Sequence, residues 1–85
     1  MTNEVEKIGV ISHYYTNIKV AVIELSGNLK VGDNIKIKGA TTEFTQLVKS
    51  MQIDNEPVDE AGSGDSIGLK VNDRVRKGDN VYRLE

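Results

Sequence analysis

Alternation of apolar and polar residues, the mark of half-buried strands, runs through most of the chain, and helical periodicity is weak. Asn34-Ile35-Lys36-Ile37-Lys38 shows it cleanly, with Ile35 and Ile37 on one side and Lys36 and Lys38 on the other. Ile67, Leu69 and Val71 alternate in the same way, and Val81-Tyr82-Arg83-Leu84 predicts a closing strand. Residues 5–15 predict a strand whose apolar positions, Ile8 and Val10, share one parity around Gly9. Residues 18–25 are almost continuously apolar, which predicts a strand buried on both faces or carrying a bulge. Tyr15-Thr16-Asn17 separates these two runs as a hairpin loop. Residues 44–53 predict one long strand whose apolar parity switches between Val48 and Met51. Asp54-Asn55-Glu56-Pro57 then predicts a turn, with the sole proline breaking the strand pattern.

One short pattern recurs three times: Gly32-Asp33-Asn34-Ile35, Gly64-Asp65-Ser66-Ile67 and Gly78-Asp79-Asn80-Val81. Glycine reaches positive φ at little cost, and aspartate can bond its own backbone two residues on. Each copy therefore predicts a turn that launches a strand. A phosphate-binding reading lacks the Gly-x-x-x-x-Gly-Lys-[Ser/Thr] element, and the structural reading is preferred.

The length of 85 residues suits one domain with a thin core. Aromatic residues make up only 5%, so aliphatic side chains must fill it: Ile8, Val10, Val20, Val22, Ile35, Ile37, Val48, Ile67, Leu69 and Val81. There is no cysteine, which removes disulfides and thiolate chemistry and points to a reducing cytoplasm. The polar, acidic start Met1-Thr2-Asn3-Glu4 argues against a secretory signal, and no stretch is long enough to predict a membrane span. The net charge is −2 and the pI about 5.4, which disfavours a charge-driven grip on nucleic acid.

The three Gly-Asp turns occur in an informative order. Leu29-Lys30-Val31-Gly32-Asp33 precedes Val48-Lys49-Ser50-Met51, followed by Val58-Asp59-Glu60-Ala61, Gly64-Asp65-Ser66-Ile67-Gly68-Leu69 and Arg76-Lys77-Gly78-Asp79. This ordered set, covering Ile8 to Leu84, resembles the second domain of translational GTPases such as elongation factor Tu and initiation factor two. His13-Tyr14-Tyr15, residues 18–25 and Gly39-Ala40-Thr41-Thr42-Glu43-Phe44 also resemble small elongation-factor-like proteins and the C-terminal barrel of collagenase-like peptidases. The resemblance implies an all-β fold, a small closed or nearly closed antiparallel barrel of the translation-factor domain 2 type spanning residues 1–85. It also implies a docking module without chemistry of its own. The guanine-nucleotide domain and the third domain of true elongation factors are not in this sequence, so aminoacyl-tRNA delivery is not implied.

The candidate binding residues fall in four places. Tyr14 and Tyr15 point to opposite faces of a strand, so one is free to stack on a base or enter a partner's pocket. Lys36 and Lys38 line the outward side of one strand, where they also suit protection of a sheet edge. Thr41, Thr42 and Phe44 belong to a loop suited to recognition. Arg74, Arg76 and Lys77 form a second basic group, suited to phosphate or carboxylate. His13 is the sole histidine and has no evident nucleophile to activate; Asp54, Glu56, Asp59 and Glu60 lack metal-loop spacing. No catalytic residue, metal site or cofactor is expected, and the chain is not read as an enzyme. The expected function is a translation-linked module binding RNA or the ribosome. The alternative is a protein-interaction module beside a separately encoded GTPase, peptidase-like or RNA-modifying chain. Neither membrane nor DNA is an expected partner.

Overall fold

A computed structural model describes residues 5–84. Ten strands follow one another: β1 (Val5–Tyr15), β2 (Val20–Leu25), β3 (Leu29–Lys30), β4 (Asn34–Lys38), β5 (Glu43–Leu47), β6 (Met51–Ile53), β7 (Glu56–Val58), β8 (Glu60–Ala61), β9 (Ser66–Lys70) and β10 (Asn80–Leu84). The described residues contain no helix. Eight strands form one antiparallel sheet in the order β5-β4-β10-β1-β2-β9-β6-β7, and β3 pairs with β8 in a small second sheet.

The expected closed or nearly closed barrel is an all-β, curled sheet that stays open. No backbone ladder joins β5, at one edge, to β9 or β6 near the other. Yet β5 and β6 are separated by residues 48–50 alone, so the sheet must curl until its two ends nearly meet. The predicted long strand is thus two strands, and the parity switch between Val48 and Met51 marks the passage from one end of the sheet to the other. The seam is stitched by a side chain. Gln46 on β5 is 8% exposed. Its Nε2 donates to the Lys70 carbonyl at 3.0 Å, and its Oε1 accepts the Asn72 N–H at 2.8 Å.

The core lies inside this curl. Ile8, Ile35, Ile37, Val48, Ile67, Leu69 and Val81 are buried as the pattern predicts, joined by Ile11, Ile23, Leu29, Met51 and Val75. Val10, Val20 and Val22 are only half-buried. Val20 and Val22 lie on the outer parity of β2, and for Val10 the cause is local to β1, which carries two bulges. The register skips Ile8 against β10 and Ser12 against β2. An extra residue inverts the alternation beyond it, so Ile8 and Ile11 share the core side and Val10 does not. The bulge expected in the second strand lies in its partner instead, and β2 alternates regularly with Ala21, Ile23 and Leu25 inward.

The three Gly-Asp turns share one construction. Gly32, Gly64 and Gly78 have φ of 102°, 94° and 96°. The aspartate N–H donates to the carbonyl three residues back, of Lys30, Gly62 and Arg76 respectively, closing a β-turn. The aspartate Oδ2 accepts the N–H of that same residue, at 3.1, 2.9 and 2.9 Å. The carboxylate therefore caps the turn backwards, not two residues forward as expected. Each turn also clasps one buried apolar residue by two backbone bonds. Val48, Leu25 and Ile11 each donate to the aspartate carbonyl and accept from the glycine N–H. The sequence repeat is a repeat of contacts.

Pro57 sits within β7, not in a turn. The strand lies at the sheet edge, where a missing N–H removes no ladder bond on the open side. The turn itself is Asp54-Asn55, both at positive φ (53° and 67°), with Ile53 paired to Glu56. This is the geometry of a two-residue hairpin loop.

Candidate protein-docking site

The loop after β4 and the segment before β10 are far apart in sequence and meet in space. β10 pairs with β4, Asn80 opposite Lys38, so the chain leaving β4 and the chain entering β10 emerge side by side. The loop turns tightly, with the Gly39 N–H donating to the Thr42 carbonyl at 2.7 Å. The buried Asp79 carboxylate sits between the two segments. One oxygen holds the Arg76 N–H, and the other lies against Gly39 where any side chain would collide.

A cleft of about 310 Å³ opens between them, lined by Thr41, Thr42, Glu43, Phe44, Asp73, Arg74 and Arg76. On the other side of the loop, Lys38, Lys77 and Tyr82 border a shallower depression. The structure thus unites Thr41, Thr42 and Phe44 with Arg74 and Arg76, and Lys38 with Lys77. Asp73 and Asp79 were not anticipated; each anchors an arginine backbone N–H. The Gly-Asp pattern around Asp79 was visible in the sequence, but its contact with Gly39 depends on a long-range pairing.

Charge in the cleft is unevenly matched. Lys36 Nζ lies 3.0 Å from Glu43 Oε2. That hydrogen bond, with the charges of Lys36 and Lys38, holds the Glu43 carboxyl below its ordinary value. Asp73 Oδ1 accepts the Arg74 N–H at 2.8 Å. Among the described residues neither the Arg74 nor the Arg76 guanidinium enters a salt bridge. Lys36 and Lys38 do not guard an edge: β4 lies between β5 and β10.

Tyr14 and Tyr15 lie elsewhere. Tyr14 packs against the core. Tyr15 is 49% exposed, with its ring edge-on to His13 at 4.3 Å between centroids. They border a separate depression at the β1–β2 hairpin with Ile18, which is 59% exposed. Ile18 escaped the sequence reading because it continued the apolar run of β2; it belongs to the turn before that strand. No group of three or more metal-ligating side chains converges among the described residues.

No family model matches the sequence. Over 80 residues, 93% of this chain, it is 45% identical to an uncharacterized protease of Methanocaldococcus jannaschii, of which it covers 20%. Over 74 residues, 85% of the chain, it is 35% identical to a collagenase of Porphyromonas gingivalis, again covering 20%. The chain therefore spans about a fifth of the length of these curated relatives. Among solved structures, the C-terminal domain of a candidate U32 peptidase of Geobacillus thermoleovorans superposes with a TM-score of 0.86 at 19% identity. That match covers 94% of this chain and 92% of the other; the selenomethionine variant gives 0.85, with 89% and 96% covered.

These matches overturn the expected translation-linked, RNA- or ribosome-binding function, because the relatives are named as protease and collagenase. The structure shows one physical reason the sequence misled. Part of the basic face is internally neutralised, by Lys36 on Glu43, and the exposed aromatic lies at a different site from the arginines. The alternative, an interaction module beside a peptidase-like chain, agrees better with these matches. In fold the chain is similar to the C-terminal domain of a candidate U32 peptidase, and in sequence to about a fifth of a protease and of a collagenase.

Proposed function

We propose that this chain is a non-catalytic accessory barrel that docks a protein partner beside a peptidase-like catalytic unit. The observation that carries this reading is the alignment of nearly the whole chain with only a fifth of a protease and of a collagenase. The sequence adds that the sole histidine has no cysteine to activate. A curled sheet that brings two loop segments side by side suits such a role. The docking face is residues 39–44, the loop after β4 with the start of β5, beside the segment 73–77, where unspent positive charge gathers.

Affinity purification of the tagged chain from its native cells, with nuclease digestion and mass spectrometry, tests this. The expected result is a peptidase-like chain retained after digestion. Partners dominated by ribosomal proteins, lost on digestion, would overturn the reading.

A further inference from the structure

The cleft between residues 41–44 and 73–76 contains more cationic donors than the fold uses. Of its two carboxylates, Glu43 is paired with Lys36, while Asp73 accepts the Arg74 N–H and keeps its charge. The two guanidiniums make no hydrogen bond or ion pair among the described residues, although both side chains border the cleft. The Arg76 backbone is held by the buried Asp79, and the Arg74 N–H bonds the carboxylate of its neighbour Asp73. A planar guanidinium matches a carboxylate in fork geometry, and a fixed base lowers the ordering cost of binding.

The other lining residues narrow the ligand. Phe44 packs partly against the core and offers its remaining surface to the cleft, and Thr41 is exposed. Glu43 and Asp73 remain anionic neighbours, so a singly charged carboxylate is tolerated better than a doubly charged phosphate. About 310 Å³ suits one or two side chains of an extended segment.

We infer that this cleft is a subsite for an acidic peptide segment of a protein partner. Arg74 and Arg76 take a side-chain carboxylate, and an adjacent apolar side chain lies on Phe44. The inference rests on the proposed docking role and names the chemistry of what docks.

The test is an amide NMR titration of the labelled full chain with a short peptide of alternating glutamate and phenylalanine. The same peptide with glutamine for glutamate, and inorganic phosphate, serve as controls. The expected shifts cluster at residues 41–44 and 73–76 and weaken with salt. Arg74→Gln with Arg76→Gln should lower affinity roughly tenfold or more, with amides outside the cleft unmoved. Arg74→Lys, which keeps charge and loses the fork, should fall between and serves if the double variant misfolds. Equal binding of the glutamine peptide, tighter binding of phosphate at the same amides, or unchanged affinity in the variants would overturn the subsite. Retention of a peptidase-like chain by the double variant would also overturn the subsite and leave the accessory role standing. Failure of the unaltered chain to retain such a chain would overturn the accessory role itself.

Discussion

Glycine and aspartate divide the work within each repeated turn. The glycine supplies a backbone angle that other residues reach only with strain, and the aspartate ties the turn's two ends together. At Gly32, Gly64 and Gly78 an added Cβ would meet nothing within 4 Å, so the cost of a side chain is purely conformational. Gly78→Ala should therefore destabilise by about 1–2 kcal/mol, read from urea denaturation, with similar losses at the other two turns. Gly39 presents the opposite case. Its constraint is steric, against the Asp79 carboxylate, so Gly39→Ala should move the amide resonance of Arg76, the residue that carboxylate caps. At Glu43 the carboxyl is held below its ordinary value of 4.5 by the Lys36 hydrogen bond and the Lys36 and Lys38 charges. A depressed folded value stabilises the fold above the unfolded one and loses that contribution as pH falls through the folded value. Acidification below about 4.5 should thus lower the urea midpoint slightly, and Lys36→Met should shrink that component, leaving the Lys38 charge. Glu43 is solvent-exposed, so high salt should shrink the effect.

The seam is the element on which the architecture turns. Gln46→Leu would leave the Asn72 N–H and the Lys70 carbonyl without their partner. The expected cost is about 1–3 kcal/mol. Hydrogen exchange at Asn72 should accelerate, while the β1–β2 ladder stays protected. Unchanged exchange at Asn72 would show that the seam holds without this side chain. Nothing in the sequence singled out Gln46, since a polar residue on a strand reads as solvent-facing until its neighbours across the gap are known. Where alternation was strict, as at Ile35 and Ile37 or Ile67 and Leu69, period two alone predicted the inward face. In β1 it did not, because Ile8-Gly9-Val10-Ile11 fits either parity and only the bulges decide. The cleft followed the same rule. Its residues were legible as two separate groups, the threonine–phenylalanine loop and the arginines. Their meeting depends on β4 pairing with β10, which no local pattern reveals. Nor does any local pattern reveal that Tyr14 and Tyr15 lie away from the arginines.

Across the whole molecule, the first and last strands are partners at the middle of the sheet. Val5 pairs with Leu84, and β1 and β10 lie between β2 and β4. Removal of residues 80–84 would take out an interior strand and expose two new edges. Such a truncated chain should lack the dispersed amide spectrum of the intact one. A circular permutant opened between Asp54 and Asn55, with its original ends joined by a short glycine–serine linker, should keep it. The hairpin tip there is exposed and lies beside an edge strand, so the cut breaks little.

The same pairing gives the barrel a single doorway. A polypeptide continued beyond Val5 and one continued beyond Leu84 would emerge within a strand's width of each other. A host could then carry the domain in one surface loop, its own path barely diverted.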